Sequence, residues 1–455
     1  MHTILPKNLK TLAELCPKPL YVVGGSVRDF LSDFKTKTYD WDICSPLSAE
    51  ELVDVANRLG FFSIRAVYKN TGTVKLQDCD GVDYEYSCFR SDKYVRGVHQ
   101  PVAIFFTEDI VLDAKRRDFT ANAVYYDILN ERFVDPLDGI SAIKAKRFTT
   151  VATSEKVFGE DGLRLLRLAR QSAQLGFYPD EECFLGARKN AALIKDISPE
   201  RIYTELNLLL CADEKYGNTD GPYQGLHLLK NTNVLGYIFP ELTLGKDMAQ
   251  RADFHKYDIL EHSLRAVKYA PKPLRLAALL HDVGKPFCQL QYGNVHTHPQ
   301  EGARIAKEIL TRLKAPKKTV ERIPALVELH MYDFNCQTKE NKLRRFFVKN
   351  YDLLNDLLAI KQADFSACMD DTSIAPTVTK WSNILQKMQE EHTPFHLKEL
   401  DCTGKDLLDL NVPPPLVSKT LHALLVYTAT HPKENKKQRL LFLVPRFIKQ
   451  LSIEK

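Results

Sequence analysis

No run of 18 apolar residues occurs anywhere in the 455-residue chain, and a helix needs about that many to cross a bilayer, so a membrane span is excluded. The opening Met1-His2-Thr3-Ile4-Leu5-Pro6-Lys7 lacks a basic stretch leading into a long apolar core, and no export leader is expected. The ten cysteines are scattered without a C-x-x-C pair. That spacing argues against a cysteine zinc site or a disulfide framework and fits reduced thiols in the cytoplasm. Excess charge is scarce too: 63 Lys plus Arg stand against 58 Asp plus Glu, a net +5. Bulk charge therefore makes no case for nucleic-acid binding. The whole excess sits in Lys433–Lys455, which holds seven basic and two acidic residues.

What is present is an ordinary globular composition, 44% hydrophobic and 27% charged, in a chain long enough for two to four domains at roughly 100–200 residues each. Residues 20–135 read as mixed α/β. Leu20-Tyr21-Val22-Val23 is a short strand that breaks at Gly24-Gly25 and runs into a helix at Ser26. Trp41–Ile43, Thr73–Leu76 and Val82–Tyr86 alternate as half-buried strands do, and Ala121–Tyr126 with Arg132–Val134 read as a hairpin. From about residue 155 helical periodicity takes over, with linkers expected at Gly217–Gly225, Thr372–Thr379 and Val412–Pro415. Four segments follow: a head at 1–150, a helical neck at 151–245, a third segment at 246–370 and a helical tail at 371–455.

The sharpest local signal pairs Gly24-Gly25-Ser26-Val27-Arg28-Asp29 with Asp40-Trp41-Asp42. A strand entering Gly-Gly-Ser and then a helix leaves backbone N–H groups free for a phosphate, and Arg28 can add a charge-assisted bond to it. Read as a strand, Asp40 and Asp42 share one face. Adjacent carboxylates need a cation between them, and with Mg²⁺ they form a two-metal clamp for in-line phosphoryl chemistry. Glu85 on a neighbouring strand is the best third carboxylate.

With these motifs the chain resembles the class II nucleotidyltransferases of the polymerase β superfamily, the group holding bacterial CCA-adding enzymes and poly(A) polymerases. Three further segments continue the resemblance in order: Lys115–Ala123, similar to R-R-D-F-T-x-N-A; Glu160–Arg170, similar to E-D-x-x-R-x-x-R-x-x-R; and Ser198–Ile202, similar to S-x-E-R. The resemblance implies an α+β head with a polymerase β-like mixed sheet and flanking helices, followed by an elongated all-α body. It implies Asp40, Asp42 and Glu85 as catalytic carboxylates, the first two on Mg²⁺. It implies nucleotide contacts from Gly25, Ser26, Arg28, Arg117, Asp118, Asn122, Asp161, Arg164, Arg167 and Arg170. Asp161 and Arg164 would read the edge of C or A in place of a template, since a carboxylate accepts from an exocyclic amine and a guanidinium donates to ring positions. Arg90–His99 would be the flexible loop used in adding the final A. In the arginine helix, Gln171-Ser172 departs from the family's usual aromatic ending and is expected to carry no chemistry, as is Ala121, where Ile is common.

A second ordered set lies at His262, His281-Asp282, His298, His330 and Asp364. Imidazoles and carboxylates on successive helices can hold one or two metals, and the order resembles the HD phosphohydrolase domain. The resemblance implies Mn²⁺, Ni²⁺, Co²⁺ or Mg²⁺ there, with phosphohydrolase activity on RNA 3′-end phosphates. The late Gly404-Lys405-Asp406-Leu407 resembles a segment of CCA-adding enzymes, and the basic end can touch tRNA phosphates. The expected function is template-independent addition of CCA to tRNA from CTP and ATP. The alternatives are a poly(A) polymerase, a specialised CC- or A-adding enzyme, an HD phosphohydrolase with a silent head, and a non-catalytic tRNA-binding protein. Oligomeric state is not legible.

Overall fold

In the computed structural model, residues 1, 4–32, 34, 40–95 and 98–453 are described. Nine short segments of alternating or apolar sequence become the strands of the head: β1 (Tyr21–Val23), β2 (Trp41–Ser45), β3 (Phe62–Tyr68), β4 (Thr73–Asp78), β5 (Asp83–Cys88), β6 (Arg90–Lys93), β7 (Ala103–Phe106), β8 (Tyr125–Asp127) and β9 (Arg132–Val134). Seven form one mixed sheet in the order β3-β4-β5-β2-β1-β8-β9. The β2–β5 pair is parallel and sets Asp42 opposite Glu85. β4 runs antiparallel to β5 and sets Lys75 opposite Glu85. Helices Lys7–Leu15 and Ala49–Leu59 join this sheet, the latter opened by a Ser48–Glu51 capping box that satisfies two end donors reciprocally. Val23, Cys44, Phe89 and Tyr125 fill a buried cluster beneath the strands.

Four expectations are revised. Asp40 precedes β2 instead of lying in it, and the Asp42 N–H donates to the Asp40 carbonyl at 3.1 Å, so the two residues flank a tight bend. Ala121 and Asn122 of Ala121–Tyr126 lie in a short 3₁₀ turn, Thr120–Asn122, and the hairpin strand begins only at Tyr125. Arg90–Lys93 is a strand paired with β7; Arg96 and Gly97 of the expected loop lie outside the described residues, as do Glu454 and Lys455 of the basic tail. The arginine helix is broken: one helix spans Ser154–Glu160, a second spans Leu163–Leu175, and Asp161 between them is extended at φ −145°.

The expected linkers are mainly helix starts. Gly221–Asn231 is helical, and helices also begin at Pro376 and Pro414, where proline's fixed φ suits the first turn. By packing, the chain falls into two units: residues 1–243 with 309–315, and residues 244–308 with 316–455. The second unit is helical throughout and contains the histidine–aspartate set together with the tail. Among the described residues, no helix is long and apolar enough to cross a membrane.

Candidate functional site

At the mouth of β2, the chain turns through Gly24 with φ +78°, and a Cβ there would lie 3.2 Å from Asp42 Oδ2. The close approach of backbone to carboxylate needs the missing side chain, and the positive φ needs it again. Ser26 is buried, and its hydroxyl donates to the Asp40 carbonyl, tying the glycine turn to the acidic pair. The Asp42 carboxylate opens to solvent at the cleft but is ringed by protein. Partial desolvation pushes its acidity up to about 6, Glu85 and Asp40 push the same way, and Arg117 pulls against them. Glu85 and Asp40 thus act on Asp42 through their charge, but among the described residues the groups whose ligand atoms all lie within 4.8 Å of one another do not include these three carboxylates. Two lysines offset part of that charge: Lys75 lies 3.2 Å from Glu85, and Lys215 lies 3.0 Å from Asp40.

The expected nucleotide-binding residues divide. Arg117 faces Asp42 electrostatically while its guanidinium is held by Asp113 at 3.1 Å and by Tyr125 at 3.2 Å. Asp118 receives two bonds from Arg167, at 2.9 and 2.7 Å, and one from Asn122 at 2.8 Å. Burial opposes the Asp118 charge, but Arg167 outweighs it and holds the carboxyl well below the usual range. Arg170 pairs with Glu205 at 2.6 Å. Arg28, expected on a phosphate, is buried and bonded instead to Asp29, Asn122, Gln171 and Tyr216. Gly25 lies beside it, its Cβ position 3.6 Å from the Arg28 guanidinium.

Gln171 overturns its dismissal. It is 4% exposed and meets Arg28 at 3.2 Å, Asn122 at 2.9 Å and Asp118 at 3.3 Å. The departure from the family's aromatic thus joins the glycine-turn helix to the R-R-D segment. Asp161 and Arg164 each have protein partners: Asp161 accepts from Arg201 at 2.8 Å and from the Leu163 N–H at 3.0 Å. Arg164 donates to the carbonyls of Val157 and Arg116 and to Glu160. Arg201 also reaches the His99 carbonyl, and the Gly162 N–H donates to His99 Nδ1 at 3.0 Å. Lys215 and Tyr216 escaped the reading by motif, His99 was legible only as the end of the Arg90–His99 loop, and Gln171 carried a signal in its break with the aromatic pattern.

In the second unit, all six expected ligands converge. His262, His281, Asp282 and Asp364 form one group and Asp282, His298 and His330 another, each within 4.8 Å. Asp282 belongs to both: Oδ2 lies 3.3 Å from His281 Nε2 and 3.5 Å from His262 Nε2, while Oδ1 lies 3.3 Å from His298 and 3.5 Å from His330. His281, His298 and His330 each donate Nδ1–H to the carbonyl three residues earlier, at 2.6–2.7 Å. Those bonds leave each Nε2 lone pair aimed inward, the second-shell arrangement of metal-bound histidine. Two Nε2···Nε2 approaches, 3.1 Å for His262–His281 and 3.4 Å for His298–His330, need either a proton on one partner or a cation between them. Burial disfavours an imidazolium at His281, yet Asp282 and Asp364 raise it to about 10; burial brings His330 down to about 4. This donor set fits one or two divalent metals.

The tail adds a cavity of about 940 Å³ lined by Lys349, Tyr351, Phe395, Lys419, His422 and Phe447, with Tyr351 and Phe395 stacked at 4.5 Å. Several basic side chains of the end are already paired, including Lys437 with Asp406 at 2.6 Å.

Comparison with known proteins accords with this geometry. Family models match for the Poly A polymerase head domain at residues 20–149, the "Probable RNA and SrmB- binding site of polymerase A" at 176–244, and the HD domain at 259–355. An A-adding tRNA nucleotidyltransferase of Deinococcus radiodurans is 29% identical over 90% of this chain and 88% of its own length. A CC-adding tRNA nucleotidyltransferase of Thermus thermophilus is 30% identical over 76% of each chain. The fold matches the crystal structure of the Bacillus stearothermophilus CCA-adding enzyme in complex with CTP, with a TM-score of 0.66, 23% identity and 98% coverage of both chains. On these matches the chain belongs to the family of tRNA nucleotidyltransferases that includes the CCA-adding enzymes.

Proposed function

We propose that the chain adds CCA to the 3′ end of tRNA, taking CTP and ATP without a nucleic-acid template. The observation that supports this reading is Asp42 set opposite Glu85 in register and close against the Gly24 turn, in one unit with the arginine-bearing helix Leu163–Leu175. Asp40 and Asp42 are the residues to hold Mg²⁺, which, when bound, lowers the barrier to attack at the α-phosphorus and steadies pyrophosphate as it leaves. Arg117 keeps positive charge beside Asp42, and Arg167, tied to Asp118, remains 38% exposed for phosphate contact. Arg170 stands a turn further along the same helix. Asp161 and Arg164 select the base by exchanging their present partners for its edge, and Arg201 sets the position of Asp161 until then. Lys215 neutralises Asp40 before nucleotide arrives. All ten cysteines are free, in keeping with the cytoplasm.

We further propose that the second unit hydrolyses phosphate groups at RNA 3′ ends, the specific support being Asp282 set between two histidine pairs. His262, His281, Asp282 and Asp364 would hold one metal, and Asp282, His298 and His330 a second. A metal there supplies Lewis-acid and nucleophile-generating chemistry at neutral pH. Lys285, 2.6 Å from Asp282, can place positive charge on a phosphate.

The test incubates the full chain with tRNAs ending before CCA, after C and after CC, with CTP, ATP or both. Completion to CCA on all three supports the reading. Products stopping at CC or accepting only A identify the specialised enzymes, and long A tails identify a poly(A) polymerase. No addition at all, with cyclic-phosphate hydrolysis retained, leaves the phosphohydrolase with a silent head. Asp42→Ala is expected to reduce addition by more than about 100-fold, the upper end of what the loss of an outer-shell partner alone costs.

A further inference from the structure

Three of the four imidazoles around Asp282 are anchored alike, each donating Nδ1–H to a backbone carbonyl. His262 breaks the pattern. It is fully buried, its Nε2 lies 3.0 Å from Asp364, and its Nδ1 has no hydrogen-bond partner among the described residues. A buried polar atom without a partner costs about 1–3 kcal/mol, and a native site with one calls for a bound water or ion.

His262 also belongs to a second set of donors. His255, His262 and Cys368 offer ligand atoms all within 4.8 Å of one another. The His255 ring stands edge-on to His262 with centroids 5.0 Å apart, and His255 Nδ1 is likewise buried without a partner. The backbone holds the two arms together: the Lys256 N–H donates to the Cys368 carbonyl at 3.0 Å, fixing the loop that carries His255 against the end of the Tyr351–Met369 helix. The Cys368 thiol spends its proton only on the Asp364 carbonyl at 3.3 Å, a weak bond.

We propose that His255, His262 and Cys368 form a further metal subsite, adjoining the histidine–aspartate cluster and taking a soft divalent ion of the zinc type. Two imidazoles and one thiolate with an open fourth position are the ligand set such an ion accepts. On binding, the Cys368 S–H proton is released to solvent as the sulfur–metal bond forms, and His255 donates a neutral lone pair. Where the main cluster also takes His262 Nε2, His262 would have to release its remaining ring proton to solvent to serve both sites. Occupancy of the subsite would then lock the ring of His262 toward the cluster, in the place of the carbonyl that anchors the other three. The inference rests on the reading that the cluster around Asp282 holds metal.

The test reconstitutes the metal-free full chain with Co²⁺, counting ions per chain and recording the near-ultraviolet thiolate-to-cobalt band beside the visible d–d bands. The wild type is expected to show the thiolate band and to hold one more ion than Cys368→Ser or His255→Ala. Both variants are expected to keep the d–d bands of the main cluster. Visible bands without a thiolate band, or equal ion counts in the wild type and both variants, would overturn the subsite and leave water as the partner of His262 Nδ1. Absence of any bound cobalt overturns the metal reading of the cluster as well, and so is distinguishable from failure of the subsite alone. His281→Ala, which damages the main cluster, is expected to lower the ion count while keeping the thiolate band.

Discussion

Asp42 and Gln171 show opposite uses of a polar side chain in the same site. Asp42 is held where its charge is disfavoured, its acidity pushed up to about 6 by partial burial and by Glu85 and Asp40. A carboxylate kept in that state serves the cation it is to meet and not the fold. Asp42→Asn is therefore expected to abolish nucleotide addition while leaving the thermal midpoint unchanged or raised, read by calorimetry on the metal-free protein. A lowered midpoint would mean that Asp42 serves the fold after all. Gln171, by contrast, serves the frame. Its amide satisfies Arg28, Asn122 and Asp118 together, all buried. Gln171→Leu keeps the volume and removes the partners. The expected cost is about 1–3 kcal/mol, the penalty of a buried group left unsatisfied, measured by urea unfolding. An unchanged midpoint would show that Arg28 and Asp118 find each other without it.

At the level of elements, what could be read from the sequence was what local chemistry decides. β2, β4 and β5 follow from their alternation, and the meeting of Asp42 with Glu85 follows once those strands are neighbours. All six histidine and aspartate ligands of the second unit were legible because ligand identity and order survive any uncertainty in helix geometry. What escaped depends on contacts far along the chain. Periodicity runs through Glu160–Arg170 without a gap, yet the helix breaks at Asp161–Gly162. There the Gly162 N–H is taken by His99, and a Cβ at Gly162 would lie 2.9 Å from the Leu193 carbonyl. Lys215 reaches Asp40 across 175 positions. The Gly217–Gly225 stretch looked like a linker because glycine is common in loops. In the fold, Gly221 and Gly225 let their helix lie on the Leu163–Leu175 helix: a Cβ at Gly221 would sit 2.2 Å from the Ala173 carbonyl, and one at Gly225 2.9 Å from the Ala173 Cβ. Gly225→Val is thus expected to destabilise the first unit by about 1–3 kcal/mol through overpacking. Because the displaced helix carries Arg164, Arg167 and Arg170, KM for CTP should rise as well. Urea unfolding and initial rates with CTP test both parts together, and a stable variant with an unchanged KM would show that the helix pair tolerates separation.

For the whole molecule, the near-neutral charge total hides two candidate donor sets of different hardness, one in each unit. In the first unit the residues proposed for Mg²⁺ are carboxylates, hard oxygen donors with Lys75, Lys215 and Arg117 beside them. The second presents imidazoles with two aspartates, a set that favours transition ions along the usual affinity order. An ion that binds only the folded state stabilises it by about 2.7 kcal/mol at a hundredfold excess over its dissociation constant. Low concentrations of Co²⁺, without nucleotide, should therefore act on one unit and spare the other. Backbone hydrogen exchange is expected to slow in the Ile259–Tyr269 and Tyr351–Met369 helices, which carry His262 and Asp364. The strands β1, β2 and β5 should exchange as before. His281→Ala should reduce the slowing, since His281 faces both Asp282 and Asp364. Equal slowing in both units, or slowing undiminished in His281→Ala, would mean that the cluster is not where the ion binds. Selective protection would show that the two halves of one chain answer to different metals, so that supply of one ion can leave nucleotide addition running while it sets the state of the other site.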